Sequence, residues 1–214
     1  MFRYDNSFFR VIGKLVDCFY ASILWLLFCI PIVTIGTATT ALYHTVHKVL
    51  RSDQSYVWRN FYGAFRANLV QTVKMWLPIL LLLVFLVLDK RMFYRVLQTG
   101  SPLGALYYFF YFLSFFVLLW AIYIFAYAAR FETGVKEALQ KGGYMAVMNA
   151  GSTVLILLIL LAGAVMISVS PFWLTLLPAG ICYLYDFILE RVFCKYMTKE
   201  EITRMLELER SEVS

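Results

Sequence analysis

The chain has 214 residues, of which 62% are hydrophobic and 15% charged, with a mean hydropathy of +0.75 and a formal charge of +6. A soluble domain is about 45–50% apolar and about 25% charged, so disorder, nucleic-acid modules and ordinary cytosolic domains are poor fits. Four stretches without Asp, Glu, Lys or Arg (18–43, 75–88, 96–129 and 142–185) take up more than half the chain. The composition reads as one all-α domain over 1–214, a polytopic helical membrane bundle of five or six membrane segments.

Residues 4–17 carry Phe8, Ile12 and Leu15 near helical spacing, with Arg10, Lys14 and Asp17 between them. That pattern predicts a short interfacial helix, or the first turns of the helix that follows. The apolar run 18–43 is too long for a signal peptide and stays as a membrane segment. Pro31 lies within it, followed by Thr34, Gly36, Thr37, Thr39 and Thr40. Proline removes a backbone donor and clashes with the preceding turn. The segment is therefore kinked, or re-entrant with its turn at Pro31–Gly36.

Residues 44–74 read as a connector with an aromatic stripe of Val57, Trp58, Phe61, Phe65 and Leu69. Further segments are predicted at about 69–88, 104–129, 152–170 and 172–189. Lys74 snorkels from the first of these. Gly100, Ser101 and Pro102 mark one turn, and Ser170 and Pro171 another. Between them, 133–151 is a semi-polar helix with small residues Gly142, Ala146 and Ala150 every fourth position, which permits close helix contact. The tail, 190–214, alternates charges and reads as a cytoplasmic surface helix.

Charge then chooses a topology. If 18–43 crosses once with the amino terminus inside, most Lys and Arg fall outside, against the positive-inside rule. If it returns to its own side, 16 of the 19 basic residues face the cytoplasm, as do both termini. The expected location is a membrane, crossed several times, with lipids as the immediate partners and no nucleic acid.

Motifs for chemistry are sparse. No nucleophile elbow, phosphate loop or zinc-protease signature occurs, so neither a catalytic residue nor a cofactor is expected. His44 and His47 sit three apart but make only half a metal site, and no metal is expected. The four cysteines, Cys18, Cys29, Cys182 and Cys194, read as inert thiols. Asp186 and Glu190 are the candidate intramembrane charges, Asp186 lying four residues inside the charged boundary. Their structural alternative is a helix-end network with Arg191 and Lys195. The threonine patch can bond its own helix carbonyls or line a ligand site.

The stretch from Cys29 to Arg51, then residues 56–58 and 61–69, resembles the signature of the YesL family of bacterial integral membrane proteins, the DUF624 family. The residues that carry the resemblance are Pro31, Thr34, Gly36, Thr40, Ala41, Leu42 and Tyr43. It implies a protein of Gram-positive bacteria, chiefly Firmicutes. It also implies an accessory role beside a carbohydrate ABC transporter or membrane sensor, without catalysis. Two other functions fit the residues: a small membrane transporter, from the break at Pro31–Gly36 and Asp186, and a membrane enzyme on a lipid-linked or oligosaccharide substrate.

Overall fold

The computed structural model describes residues 7–51, 56–131 and 134–196. Residues 4–6 of the expected interfacial helix and 197–214 of the expected tail lie outside them. Among the described residues the structure is helical throughout and has no strand.

Helix α1 spans Ser7–Phe28 and absorbs the described part of the interfacial segment. It stops before Pro31, as proline chemistry requires. A short 3₁₀ turn at Ile32–Thr34 reverses the chain into α2, Ile35–Thr45, which runs on as a π-helical turn through Val46–Arg51. The Thr34 hydroxyl closes the reversal, reaching the carbonyls of Phe28 and Pro31 at 2.7 Å each. Trp25 donates to Thr39 Oγ1 at 3.3 Å, and Lys14 donates to the Leu50 carbonyl at 2.9 Å. Partners that move in opposite directions along the two segments make them antiparallel.

Helix α3 runs unbroken over Val57–Gln98, 42 residues. At 1.5 Å per residue that is about 63 Å, twice the ~30 Å hydrocarbon core of a bilayer. The expected connector from Val57 onward, the second span and the charged residues after it are thus one rod, with Pro78 inside it, while residues 44–51 of that connector belong to α2 and its π-turn. The aromatic stripe at its start receives Phe28, whose ring lies 5.4 Å from Phe61 and 4.7 Å from Phe65. Gly100, at φ +72°, makes the turn that glycine permits. A 3₁₀ turn at Pro102–Ala105 then leads into α4, Leu106–Arg130. Phe93 stacks on Phe110, and Trp76 meets Phe125, so α3 and α4 are antiparallel.

Helix α5, Val135–Met148, packs Gly142 on the backbone of Ile124. Ala146 is buried beside it, but Ala150 is exposed, because the helix breaks at Asn149. Helix α6, Ala150–Val169, pairs with α7, Leu177–Tyr196, through the 3₁₀ turn Pro171–Thr175. Ile181 fills the space above Gly163.

Among the described residues, three helical segments are long and apolar enough to cross a membrane: Val57–Gln98, Pro102–Arg130 and Ala150–Val169. Their outer faces expose Leu81, Phe85, Leu88, Phe112, Leu155, Leu158 and Val165. Water would penalise such a surface and lipid does not. The chain is a helical membrane protein on these grounds.

Candidate functional site

Helix α2 and its π-turn present two chemically different faces. On one, Tyr43 and His47 lie one turn apart with their rings stacked at 6.4 Å. Tyr43 also stacks on Tyr185 of α7 at 6.1 Å. His47 Nδ1 sits 3.1 Å from Asp186 Oδ1 and 3.8 Å from Glu190 Oε1. The Tyr43 hydroxyl donates to Glu190 at 3.4 Å. From α4, Arg130 closes the group: its Nε lies 3.2 Å from Glu190 Oε1, and Nη2 donates to Oε2 at 3.4 Å.

This cluster is deeply buried, Asp186 at 0% exposure and Glu190 at 7%. Two carboxylates without a cation would be untenable there. The Arg130 guanidinium supplies the compensating charge as a planar fork suited to a carboxylate. Oxygen and nitrogen atoms of His47, Asp186 and Glu190 lie within 4.8 Å of one another, a spacing compatible with a metal ion. Arg130 already provides positive charge beside Glu190.

On the other face, His44 and Lys48, again one turn apart, line an open cleft of about 900 Å³. Arg59, Asn60, Asn68 and Gln71 of α3 form its polar wall. The cleft exists because the paired helices differ in length. With Trp76 beside Phe125, the antiparallel register puts Arg130 near Gln71. Arg59 lies twelve residues further along α3, about 18 Å at helical rise. Gly63, Ala64, Ala67, Ala128 and Ala129 keep the intervening floor low. Arg130 belongs to both places: it lines the cleft and holds Glu190.

The residues singled out in the sequence fall around this site unevenly. Tyr43, Asp186 and Glu190 converge in the buried cluster. The cation on Glu190 is Arg130, from another helix, rather than Arg191 or Lys195 of its own. His44 and His47 part company, one to the cleft and one to the carboxylates. Pro31 and Thr34 form the α1–α2 turn. Gly36 is pressed against Trp76 and Phe125, where an added Cβ would lie 2.8 and 2.9 Å from side-chain carbons. Thr40 and Thr45 bond the carbonyls of Gly36 and Ala41, four residues back. The Thr72 hydroxyl meets Thr37 at 2.8 Å. Ala41 and Leu42 are core residues. Sequence reasoning missed Lys48, Arg59 and Arg130 as site residues; their helical spacing from His44, Asn60 and the α4 end was the signal available.

Residues 18–90 match the family model described as "Protein of unknown function, DUF624". The matched region includes α2, its π-turn and the α3 wall of the cleft; Arg130, Asp186 and Glu190 lie beyond it. No curated protein matches the chain, and no solved structure does. Over residues 18–90, therefore, this chain is similar to the DUF624 family.

Proposed function

We propose that the protein is a non-catalytic accessory of carbohydrate uptake in the bacterial plasma membrane, docking on a permease or membrane sensor. The setting rests on the sequence resemblance. The absence of catalysis rests on one structural observation. Among the described residues, the accessible cleft is lined by cations, amides and small residues, with no carboxylate, hydroxyl or thiol. The carboxylates that could act as acid and base are buried behind it, Glu190 paired with Arg130 and Asp186 facing His47. Cations and amides around small residues suit such a cleft to binding.

In this reading both termini face the cytoplasm and the α1–α2 hairpin returns to its own side. The antiparallel bonds of Lys14 to Leu50 and Trp25 to Thr39 support the return. Single cysteines at Ser7, Ser55, Ser101 and Ser211 in a Cys-free background test it by labelling from each face. The expected pattern is protection from outside at all but Ser101. For the accessory role, the tagged protein is purified from native membranes in mild detergent. A carbohydrate permease should co-purify in comparable amount; recovery of the protein alone, with the permease intact in the lysate, defeats the proposal.

One observation favours a second reading, a small transporter: the buried Asp186–His47 contact between α7 and the π-turn after α2. Flux of sugars or cations into proteoliposomes that is abolished by Asp186→Asn would establish it. No flux would dismiss it.

A further inference from the structure

We infer that the hollow between the carboxyl end of α3 and the start of α4 binds one anionic phospholipid, with the headgroup phosphate on its basic wall. Lys90, Arg91 and Arg95 all line that hollow, whose volume is about 530 Å³. Helical rise spreads the three over only about 8 Å of α3. Among the described residues, none of them forms an ion pair. Lys90 Nζ rests 5.5 Å over the Tyr111 ring, a contact that leaves its charge in place. The neighbouring carboxylate, Asp89, does not line the hollow, and no lining residue is acidic. Arg91 and Arg95 are four apart, a like-charge pair on one helix face that costs stability. An anion seated between them offsets that repulsion.

The surroundings narrow the anion to a lipid. Across from the cations, Tyr107 and Tyr111 stand one turn apart on α4, and Tyr94 packs on Tyr107 at 5.6 Å. Tyrosine hydroxyls add neutral donors, and the rings suit a membrane boundary. Two turns towards the middle of the apolar runs, the same faces change character. Val84 lies seven residues from Arg91, Leu88 seven from Arg95 and Leu118 seven from Tyr111. These three are 50%, 56% and 45% exposed. Residues seven apart share a helix face, about 10 Å from one another along the axis. A charged rim above an apolar slope matches an amphiphile. Its phosphate oxygens meet the guanidinium forks in pairs, and an acyl chain lies along the slope. A soluble phosphate ester would leave that slope bare. This proposal is independent of the docking role proposed above.

The test uses the full-length protein in neutral detergent, incubated with equal amounts of phosphatidylglycerol and phosphatidylcholine. Native mass spectrometry counts the lipids retained. The wild type should keep one phosphatidylglycerol per chain in preference to phosphatidylcholine. Arg91→Gln and Arg95→Gln should each lower that preference about fivefold, the contribution of one basic residue beside an anionic membrane surface. Val87→Trp keeps every cation but fills the hollow, and should abolish the preference. Val87 is 43% exposed, so the larger ring has room. Lys74→Gln removes an exposed cation from the same helix outside the hollow, and should change nothing. A second arm titrates glycerol phosphate, the headgroup chemistry without the chains, calorimetrically into the same proteins.

One retained phosphatidylglycerol per chain, with this variant pattern, supports the proposal. Glycerol phosphate binding with the same pattern, but no preference for phosphatidylglycerol, assigns the hollow to a soluble phosphate and overturns the lipid site. Absence of binding in both arms overturns it as well. So does a preference that survives Val87→Trp. A preference that falls as far with Lys74→Gln as with Arg91→Gln also defeats it, because general attraction to the membrane surface then accounts for the retention.

Discussion

The two ends of α3 each carry a basic cleft, and they are built differently. At the amino end, Lys48, Arg59 and Arg130 surround small residues and amides, and Arg130 is anchored by a buried glutamate. At the carboxyl end, Lys90, Arg91 and Arg95 lie among Tyr94, Tyr107 and Tyr111 around a hollow of about 530 Å³. Lys90 Nζ sits 5.5 Å over the Tyr111 ring. Basic residues interleaved with tyrosines at the end of an apolar helix are the usual membrane-interface pattern, with cations reaching headgroups and rings lying at the boundary. The number of cations is the same at both ends. What separates them is what stands behind: buried counter-charge and a shaped floor in one case, a surface girdle in the other.

Changes at either end can break that distinction. The largest effect is expected from Glu190→Ala, which removes the carboxylate that meets both Arg130 and the Tyr43 hydroxyl. A loss of about 1.5–3 kcal/mol, the size of a hydrogen bond to a charged group, is read as a lowered denaturation midpoint in neutral detergent. A wild-type midpoint would mean that the amino end is as superficial as the other. Next comes Gly36→Val, which forces carbon into the contact with Trp76 and Phe125. Overpacking of this kind costs about 1–3 kcal/mol, and the same denaturation curve measures it. Thr72→Val deletes the bond to Thr37. Interhelical hydrogen bonds in membrane proteins contribute about 1 kcal/mol, so a smaller shift is expected. The smallest effect belongs to the carboxyl end, where Lys90→Gln should change stability by less than about 0.5 kcal/mol. A shift there as large as that of Glu190→Ala would erase the contrast.

Turns were the most legible part of the sequence. Gly100–Pro102 and Ser170–Pro171 lie between helices as expected, and the break at Pro31 separates α1 from α2. Helix ends were harder to place. The span expected over 69–88, with Lys74 inside it, stops short of Asp89, but a charge marks where hydrocarbon ends, not where a helix must. The backbone of α3 therefore continues through both. Pro78, which elsewhere stops a helix, lies within this one. The site shows the same limit. Asp186 could be singled out because a carboxylate inside an apolar run is conspicuous, but its partner His47 is 139 residues away. No local pattern encodes that meeting. Two histidines three apart suggested a shared face, yet one lines the open cleft and the other meets the buried carboxylates.

The continuity of α3 also has a mechanical side. A single rod joins the two basic clefts, with Pro78 near its midpoint. Rocking α3 about that midpoint swings its ends in opposite directions, by about 3 Å for a 5° tilt of each ~30 Å half. For a rod that spans the bilayer that displacement is lateral, so a sideways shift of one cleft goes with an opposite shift of the other.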